Sequence, residues 1–412
     1  MRRYGVALLA VLGALVFLIG GTGSAAVTKP SVRPHSSGQP LVVCGDLALS
    51  GVYTKIGADD NQGAIAYFDY VNRHGGIDGH KVTYITENNE SSPAEAELLA
   101  KECIQQKHAN VIFGPESGAD TQAALPIAIA YHVPLLSMSS GWKSNGYPAS
   151  ELHSYGFPVI ENVFYEDDYY TAKNIIAPRH YTRAALIQDN CGSVCLANQG
   201  YVQGMQKKFH FKLVSTQTVS TSATDVTPQV ATMLAAKPQV IILGLVPGTD
   251  TITVIRAIRA QNPTIPISEC SACYDPSFVA AAGGLSGMKN VYMISPEAQL
   301  LQAAKAGKSV ADRQTASQVA QYLAGMRAAG FSSANSLNNG IEGWAAGLQL
   351  SWAIGKAKSI SGPAIMKELQ HLDINTLGVV WKRSPANYEH IVDYVAAMSV
   401  ISPSGKIALY NP

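Results

Sequence analysis

The chain has 412 residues, of which 47% are hydrophobic and only 14% are Asp, Glu, Lys or Arg; an ordinary soluble domain carries about 25% charged residues. With 30 basic against 29 acidic residues and a formal net charge of +1, it lacks the basic footprint that a phosphate backbone requires, so no nucleic-acid partner is expected. Apolar richness also excludes a disordered chain, and the length provides for roughly two or three domains.

Met1-Arg2-Arg3, an apolar run from Val6 to Gly20 and the small residues Ser24-Ala25-Ala26 form the pattern of a secretory signal over residues 1–26. The run is shorter than the roughly 20 residues that a membrane-spanning helix needs. Residues 27–40 carry Pro30, Pro34 and Pro40 without apolar periodicity and read as a linker. Cys44 follows the bulky Val43 far beyond the apolar run, so it is not a lipoprotein cysteine. The expected location is extracytoplasmic, in a periplasm or cell envelope.

From Leu41 a regular alternation begins. Leu41–Cys44 is a short buried strand, and residues 58–73 form an amphipathic helix with Ala64, Tyr67, Phe68 and Val71 on one face. Lys81–Ile85 is the next strand. Ser92-Pro93-Ala94-Glu95 opens a second helix with a capping box, and Ala96, Leu99, Ala100 and Cys103 form its inner stripe. A strand at Val111–Phe113, a helix over 119–132 and a strand at Pro134–Leu136 complete a βαβαβαβ unit. Such a unit needs a parallel sheet with right-handed crossovers. In a sheet of order 2-1-3-4 the second helix crosses the first strand, so Cys103 is expected to meet Cys44.

The alternation then restarts. Strands are expected at 183–187, 212–219, 240–243 and 265–267, with helices over 197–209, 227–236 and 249–261. Residues 298–330 and 339–372 are helical by pattern, and Ala396–Ile401 is a closing strand. Two such units imply an α/β protein of two doubly wound parallel-sheet lobes with a cleft between them. Besides Cys44 and Cys103, the cysteines fall into two local candidate pairs, Cys191 with Cys195 and Cys270 with Cys273. In an exported protein these read as structural staples ahead of a redox or zinc motif.

Ligands of open α/β sheets bind beyond the carboxyl ends of the strands, where the strand order switches. After the third strand, Gly114-Pro115-Glu116-Ser117-Gly118-Ala119-Asp120-Thr121 opens a helix whose N–H groups and dipole suit an anion. The bland reading is a helix cap at Ser117 or Asp120. After the fourth strand, Ser137-Met138-Ser139-Ser140-Gly141-Trp142 offers hydroxyls to a small polar ligand, turn chemistry being the alternative. No nucleophile elbow, zinc-protease motif or P-loop is present, so no enzyme activity, metal or cofactor is expected. Asp167-Asp168 reads as a solvated helix start, and Tyr165, Tyr169 and Tyr170 as packing.

Several strings carry a family resemblance. Ser50-Gly51, Gly57, Gly63-Ala64 and Asn72-x-x-Gly75-Gly76-Ile77-x-Gly79 resemble the opening of type I periplasmic binding proteins, most of all the leucine/isoleucine/valine receptors of ABC transporters. The loop at 114–121, Pro134–Ser137, Asp189-Asn190 and Tyr274-Asp275-Pro276-x-Phe278 follow in the family's order, so the resemblance spans about residues 41–401. It implies a hinge of three crossing strands, near Gly156–Pro158, Ile294–Pro296 and Val392–Val395. Lobe 1 would then comprise 41–157 plus 294–392, and lobe 2 158–293 plus 393–412.

Carried over by position, the backbone at Ser117 and Gly118 would hold a ligand carboxylate, and Ser139, Ser140 and Gly141 would meet its amino and carboxylate groups. Ile56 and Trp344 would stand near its side chain. The second lobe departs from the family at Ser193, in a Cys-Gly-Ser-Val-Cys loop, and at Val246, where an aromatic residue is common. It departs again at Ser271, the place of the family's acidic residue, with Glu269 two positions earlier. The resemblance implies a monomeric receptor delivering a small molecule, an amino acid or a related carboxylate or amide, to ABC-transporter permease subunits. An extracytoplasmic sensing module on the same fold is the alternative, and a hydrolase ranks third.

Overall fold

The computed structural model describes residues 38–139, 155–160, 163–190, 193–220, 223–245, 249–269, 276–294, 297–331, 340–388, 390–394 and 398–410. The first layer runs β1 (Leu41–Leu47), α1 (Thr54–Arg73), β2 (Val82–Asn88), α2 (Pro93–Gln105), β3 (Val111–Phe113), α3 (Gly118–Tyr131), β4 (Leu135–Ser137) and β5 (Gly156–Pro158). Its strands form one parallel sheet of order β2-β1-β3-β4-β5. The expected order 2-1-3-4 is therefore met, with β5 added at the edge.

The second layer runs α4 (Val163–Thr171), β6 (Arg183–Asp189), α5 (Ser193–Phe209), β7 (Lys212–Val219), α6 (Thr227–Ala235), β8 (Val240–Gly244), α7 (Thr249–Gln261), β9 (Ile267–Glu269), α8 (Pro276–Ala281) and β10 (Val291–Ile294). After it come α9 (Glu297–Ala306), α10 (Val310–Ala328), α11 (Ile341–Ala357), α12 (Gly362–Leu369), β11 (Asp373–Thr376), β12 (Val379–Lys382), β13 (Ile391–Tyr394), β14 (Met398–Ile401) and β15 (Ile407–Leu409). The second sheet has the order β15-β14-β10-β9-β8-β6-β7, parallel except where β14 pairs antiparallel with β10 and β15. Strands β11-β12-β13 make a small antiparallel sheet of their own.

Strands covered on both faces need apolar residues at successive positions. In β6, Ala185 and Ile187 enter one core while Ala184 and Leu186 enter another on the opposite face. In β3, Phe113 joins the main core and Ile112 a smaller one beneath α3. The chain's low charge thus has its cause in two sheets with little solvated face. The main core also takes Val319, Tyr322, Trp344, Leu350, Leu369 and Trp381, so the C-terminal helices and the small sheet pack onto the first sheet. Among the described residues, no helix is long and apolar enough to cross a membrane.

Four expectations change. Ser92 sits at the N-cap of α2 with Pro93 behind it, yet its hydroxyl makes no cap bond; its N–H, donated to Asn89 O at 2.9 Å, holds the turn. The capping box is instead at Ser309, where Ser309 Oγ accepts from Asp312 N–H and Asp312 returns the bond. That box splits the helical stretch 298–330 into α9 and α10, and a left-handed Lys358 ends α11 before Pro363 starts α12. No expected element covers β11 or β12, and β13 overlaps the crossing expected near Val392–Val395, because the order of these strands comes from distant side chains. Gln318 on α10 donates to Asn375 O at 2.7 Å and accepts from Leu377 N–H at 2.8 Å. Finally, Asp168 is 2% exposed rather than solvated. It lies one turn before Thr171, whose hydroxyl bonds Ser268 of β9, so that face of α4 lies on the sheet.

Cys44 and Cys103 form a disulfide with Cα atoms 5.9 Å apart, buried beside Ala109 where α2 crosses β1. The pairing follows from strand order: β1 is inner, and α2 must pass over it to reach β3. Cys191, Cys270 and Cys273 lie outside the described residues, as does the side chain of Cys195 in α5.

Helices α1 and α11 approach to backbone contact. A Cβ on Gly63 would stand 1.7 Å from Gly340 O, and one on Gly343 2.0 Å from Asp60 O. Only glycine fits at such a crossing. Gly343→Ala is expected to force the helices apart at a cost of about 1–3 kcal/mol or more, read as a lower thermal midpoint. The double variant Cys44→Ala/Cys103→Ala is expected to lose about 2–5 kcal/mol, and reductant should lower the wild-type midpoint but not that of the variant.

Candidate functional site

In both large sheets the order switches next to the first strand of the unit, β1/β3 in one and β6/β8 in the other. The loops leaving these strands form the site. The β1–α1 loop, residues 48–53, is held from two sides. Asn88 Oδ1 accepts Leu49 N–H (2.9 Å), Ser91 Oγ accepts Tyr53 N–H (3.1 Å) and Ser91 Oγ–H donates to Ser50 O (2.8 Å). From the other side Glu116 Oε2 accepts Ala48 N–H (3.0 Å).

The loop after β3 packs just as tightly. Gly114 has φ +89°, and a Cβ there would lie 2.2 Å from Asp46 O, so glycine is needed for two reasons. Ser117 is the N-cap of α3, its Oγ accepting Asp120 N–H at 3.0 Å. Thr121 Oγ1 and Ser137 Oγ share a hydrogen bond of 2.9 Å. Ser137 Oγ–H donates to Pro115 O (3.1 Å) and Ser137 Oγ accepts Ser139 N–H (3.0 Å). The hydroxyls of this stretch therefore fix the two loops to each other.

The electrostatics are one-signed. Burial pushes the Glu116 carboxyl up to about 8, against the pull of Ala48 N–H, and Asp120 adds to the rise. Asp46, in the last turns of β1, is raised well above the usual range by burial, with Glu116, Asp120 and Glu95 adding; Asn89 Nδ2, donating at 3.0 Å, opposes this. Asp60 on α1 is likewise raised by burial and then by Glu342, Glu116 and Asp59. Asp120 rises through burial, opposed by Ser117. The Tyr53 hydroxyl is pushed up to about 12 by burial, then by Asp189 at the end of β6 and Asp120 in α3. Among the described residues, the charged groups that act on these five are all acidic. Among the described residues, no three His, Cys, Asp or Glu side chains are grouped so as to hold a metal ion.

Of the residues singled out by sequence, Ser117, Gly118 and Ser139 come together at the first switch point, Ser117 and Ser139 buried. Ile56 is half-buried in the first turn of α1. Trp344 has no exposed surface: its ring centroid lies 5.1 Å from Tyr67, 5.5 Å from Tyr322 and 5.8 Å from Tyr70, inside the core. Ser193 opens α5 and Glu269 ends β9, but their side chains lie outside the described residues, as do Ser140, Gly141, Val246 and Ser271 altogether.

Sequence reasoning passed over Tyr53, Glu116 and Asp46, and read Asp189 only as a landmark. One signal was available. In a chain so poor in charge, Asp46 and Asp189 stand at matching ends of the first strands of the two units.

A profile of the periplasmic binding proteins matches residues 47–404. The chain belongs to that family. No curated protein matches the sequence. Solved structures do share its fold. An extracellular ligand-binding receptor from Rhodopseudomonas palustris HaA2 has a TM-score of 0.75 at 18% identity, over 90% of this chain and 99% of that one. An ABC-transporter substrate-binding protein from Aeropyrum pernix has a TM-score of 0.73 at 18% identity, over 91% and 95%. The branched-chain amino acid transporter substrate binding protein LivJ from Streptococcus pneumoniae, solved with isoleucine, has a TM-score of 0.69 at 18% identity, over 90% and 100%. At such identities the likeness is one of fold. The expected family and two-sheet architecture are thereby met, and a ligand-binding receptor fold is the setting for these loops.

Glu116 gives a test of the electrostatics. Its folded value lies above its unfolded one, so its contribution is present at low pH and is lost as pH rises from about 4.5 toward about 8. Glu116→Gln keeps the acceptor for Ala48 N–H and removes the titration. The variant is expected to melt several degrees above wild type at pH 8 and to converge with it near pH 5, as thermal unfolding across that range will measure.

Proposed function

We propose that the chain is an exported solute-binding receptor of an ABC importer. It captures a small polar ligand between its lobes and presents it to permease subunits as a monomer. The observation that carries this reading is Tyr53, whose hydroxyl is pushed up by burial and then by the charges of Asp189, at the end of β6, and Asp120, in the first turn of α3. Acids from both switch points thus lie within electrostatic reach of one side chain, at the end of the sheets where α/β proteins bind ligands. Family membership supports the receptor role, and the leader pattern of residues 1–26 supports export.

The proposed lobes are 41–157 with 294–392 and 158–293 with 393–412, hinged near 156–158, 294–296 and 392–395. β5 adds to the first sheet, whereas β10 and β14 belong to the second, which fits crossings at those segments. Open and closed forms interconvert by rotation about the crossings, and a ligand that touches both lobes only when closed shifts the population toward closure. The ligand class proposed is an amino acid or a related carboxylate or amide. Ser117, Gly118 and Ser139–Gly141 would supply the first-lobe contacts, and Ser193, Val246, Glu269 and Ser271 the second-lobe rim.

Calorimetric titration against amino acids, amines and carboxylates, paired with small-angle scattering, tests the proposal. A saturable heat with a smaller radius of gyration is expected for at least one compound. Heat without compaction would remove the closure mechanism, and silence across all classes would remove the receptor role.

A further inference from the structure

We propose that the amino-terminal edge of the second sheet is a docking surface for an anionic membrane, carried by lysines that no carboxylate neutralises. Docking there leaves the ligand loops free, because they leave the opposite, carboxyl-terminal ends of the same strands. The kind of surface rests on the export reading, whereas the edge itself is independent of the receptor reading.

Strands β7-β6-β8-β9-β10 are parallel neighbours, so the segments that precede them all lie at one edge. Hydrogen bonds join those segments. Lys212 N–H donates to Thr182 O (2.8 Å), Thr182 N–H to Gln239 Oε1 (2.7 Å), Ile241 N–H to Pro266 O (2.9 Å) and Asn290 Nδ2 to Thr264 O (2.8 Å). The arginines serve the same end. Arg183 Nε donates to Lys237 O (3.1 Å), Arg259 to Ile265 O (2.9 Å) and Gly287 O (3.0 Å), and Arg179 to the Tyr292 hydroxyl (2.9 Å). At the usual strand spacing of about 4.8 Å, the edge is about 20 Å wide.

Across this edge the sequence has bases and no acids. Residues 172–183, 206–213, 236–240, 258–266 and 287–291 contain no Asp or Glu. Their lysines, Lys173, Lys207, Lys208, Lys212, Lys237 and Lys289, are all exposed. The ion pairs among the described residues are made by other lysines, Lys55, Lys101, Lys107 and Lys358. Lys107, at the matching edge of the first sheet, pairs with both Glu87 and Glu102. The C-terminal dipole of α5 accounts for Lys207 and Lys208. It does not account for Lys212, which opens a strand, or for Lys289, which follows a single helical turn.

Two of these lysines converge. Lys173 Nζ stands 5.7 Å from the centre of the Tyr169 ring and Lys208 Nζ 4.8 Å from it, with the Phe209 ring 5.7 Å away. Like charges gathered on one half-buried ring leave a positive field that draws anions. The charge is spread along several strands, so a single small anion neutralises only part of it, whereas a layer of phosphate headgroups covers the whole edge. Tyrosine rings and lysine stems suit that layer, with the ammonium groups among the phosphates. The formal charge of +1 conceals the edge, because acids elsewhere in the chain balance it. Cys44 is buried in a disulfide and so carries no lipid. A reversible electrostatic contact would hold the receptor near its permease instead.

The test is sedimentation of residues 27–412 with vesicles of phosphatidylcholine containing about 30% phosphatidylglycerol, and with phosphatidylcholine alone. This span omits the apolar run of residues 6–20, which would itself enter lipid, and keeps the whole compact unit 36–412. At 50 mM salt, binding to the anionic vesicles is expected to be at least tenfold tighter than to the neutral ones, and 300 mM salt should remove that preference. These wild-type arms need no variant to fold. Lys173→Glu/Lys208→Glu should weaken binding to anionic vesicles at least tenfold. Lys356→Glu/Lys367→Glu, an equal change of charge on α11 and α12, should leave it within twofold. No binding, equal binding to both vesicles, or a first variant that loses no more than the second overturns the proposal. Capture by soluble polyglutamate without vesicle binding also overturns it, and makes the partner an acidic protein. No candidate ligand enters the assay, so its failure leaves the receptor reading standing, and the titration that tests that reading leaves this one untouched.

Discussion

The hydrogen bond from Ala48 N–H to Glu116 Oε2, at 3.0 Å, joins the loops that leave β1 and β3 on either side of the order switch. These residues are 68 positions apart, and the bond is buried. Around it the other loops at this switch point take shape. Gly114 turns under Asp46 O, Ser117 caps α3, and the Thr121–Ser137 pair ties the loop after β4 to the same knot. A carboxyl group so placed is held neutral far above the usual range, because ionising it would leave a charge in a poor solvent. The loop geometry and the protonation state are two aspects of one constraint.

That constraint has a structural counterpart in the scaffold. Helix α1 begins with Tyr53 as its N-cap, so the position of Tyr53 is fixed by how α1 lies on α11. The glycines at 63 and 343 let the two helices meet backbone to backbone, and Gly347 admits the Tyr67 ring. Close approach there brings Asp60 of α1 beside Glu342 of α11, adding another carboxyl pair behind the loop. On the other side, the Cys44–Cys103 disulfide fixes β1 to α2 two residues before Asp46. The acidic end of β1 is therefore braced by a covalent bond on one face and a tight helix crossing on the other. Buried carboxyls without basic partners are destabilising, and rigid surroundings are what keep them in place.

Much of the architecture was legible in the residues. Apolar runs of strand length alternating with helical stripes specify parallel sheets, and the inner place of β1 specifies which helix carries the partner of Cys44. The errors arose where local pattern was weak or contested. Ser92, Pro93 and Glu95 have the composition of a capping box but not its bonds, while Ser309 and Asp312 have both. Strands β11–β13 depend on Gln318 and Asn375 reaching across the fold, which no window along the chain reveals. Asp167-Asp168 looked like a solvated pair; only the packing of α4 on β9 buries Asp168.

By itself the sequence determined the fold class, the family, the strand order of the first sheet and the Cys44–Cys103 pairing. Each of these follows from periodicity or from short strings read in order. The electrostatic character of the site was decided only by the tertiary structure. Composition gives a nearly neutral chain, with 30 basic and 29 acidic residues, and by that measure no region has a preferred sign. Folding redistributes the charges: Asp46 and Asp189 stand at the ends of β1 and β6, and Asp120 at the start of α3. Burial leaves little solvent to screen a charge, and Tyr53 comes under the charges of Asp120 and Asp189 only once the sheets have formed.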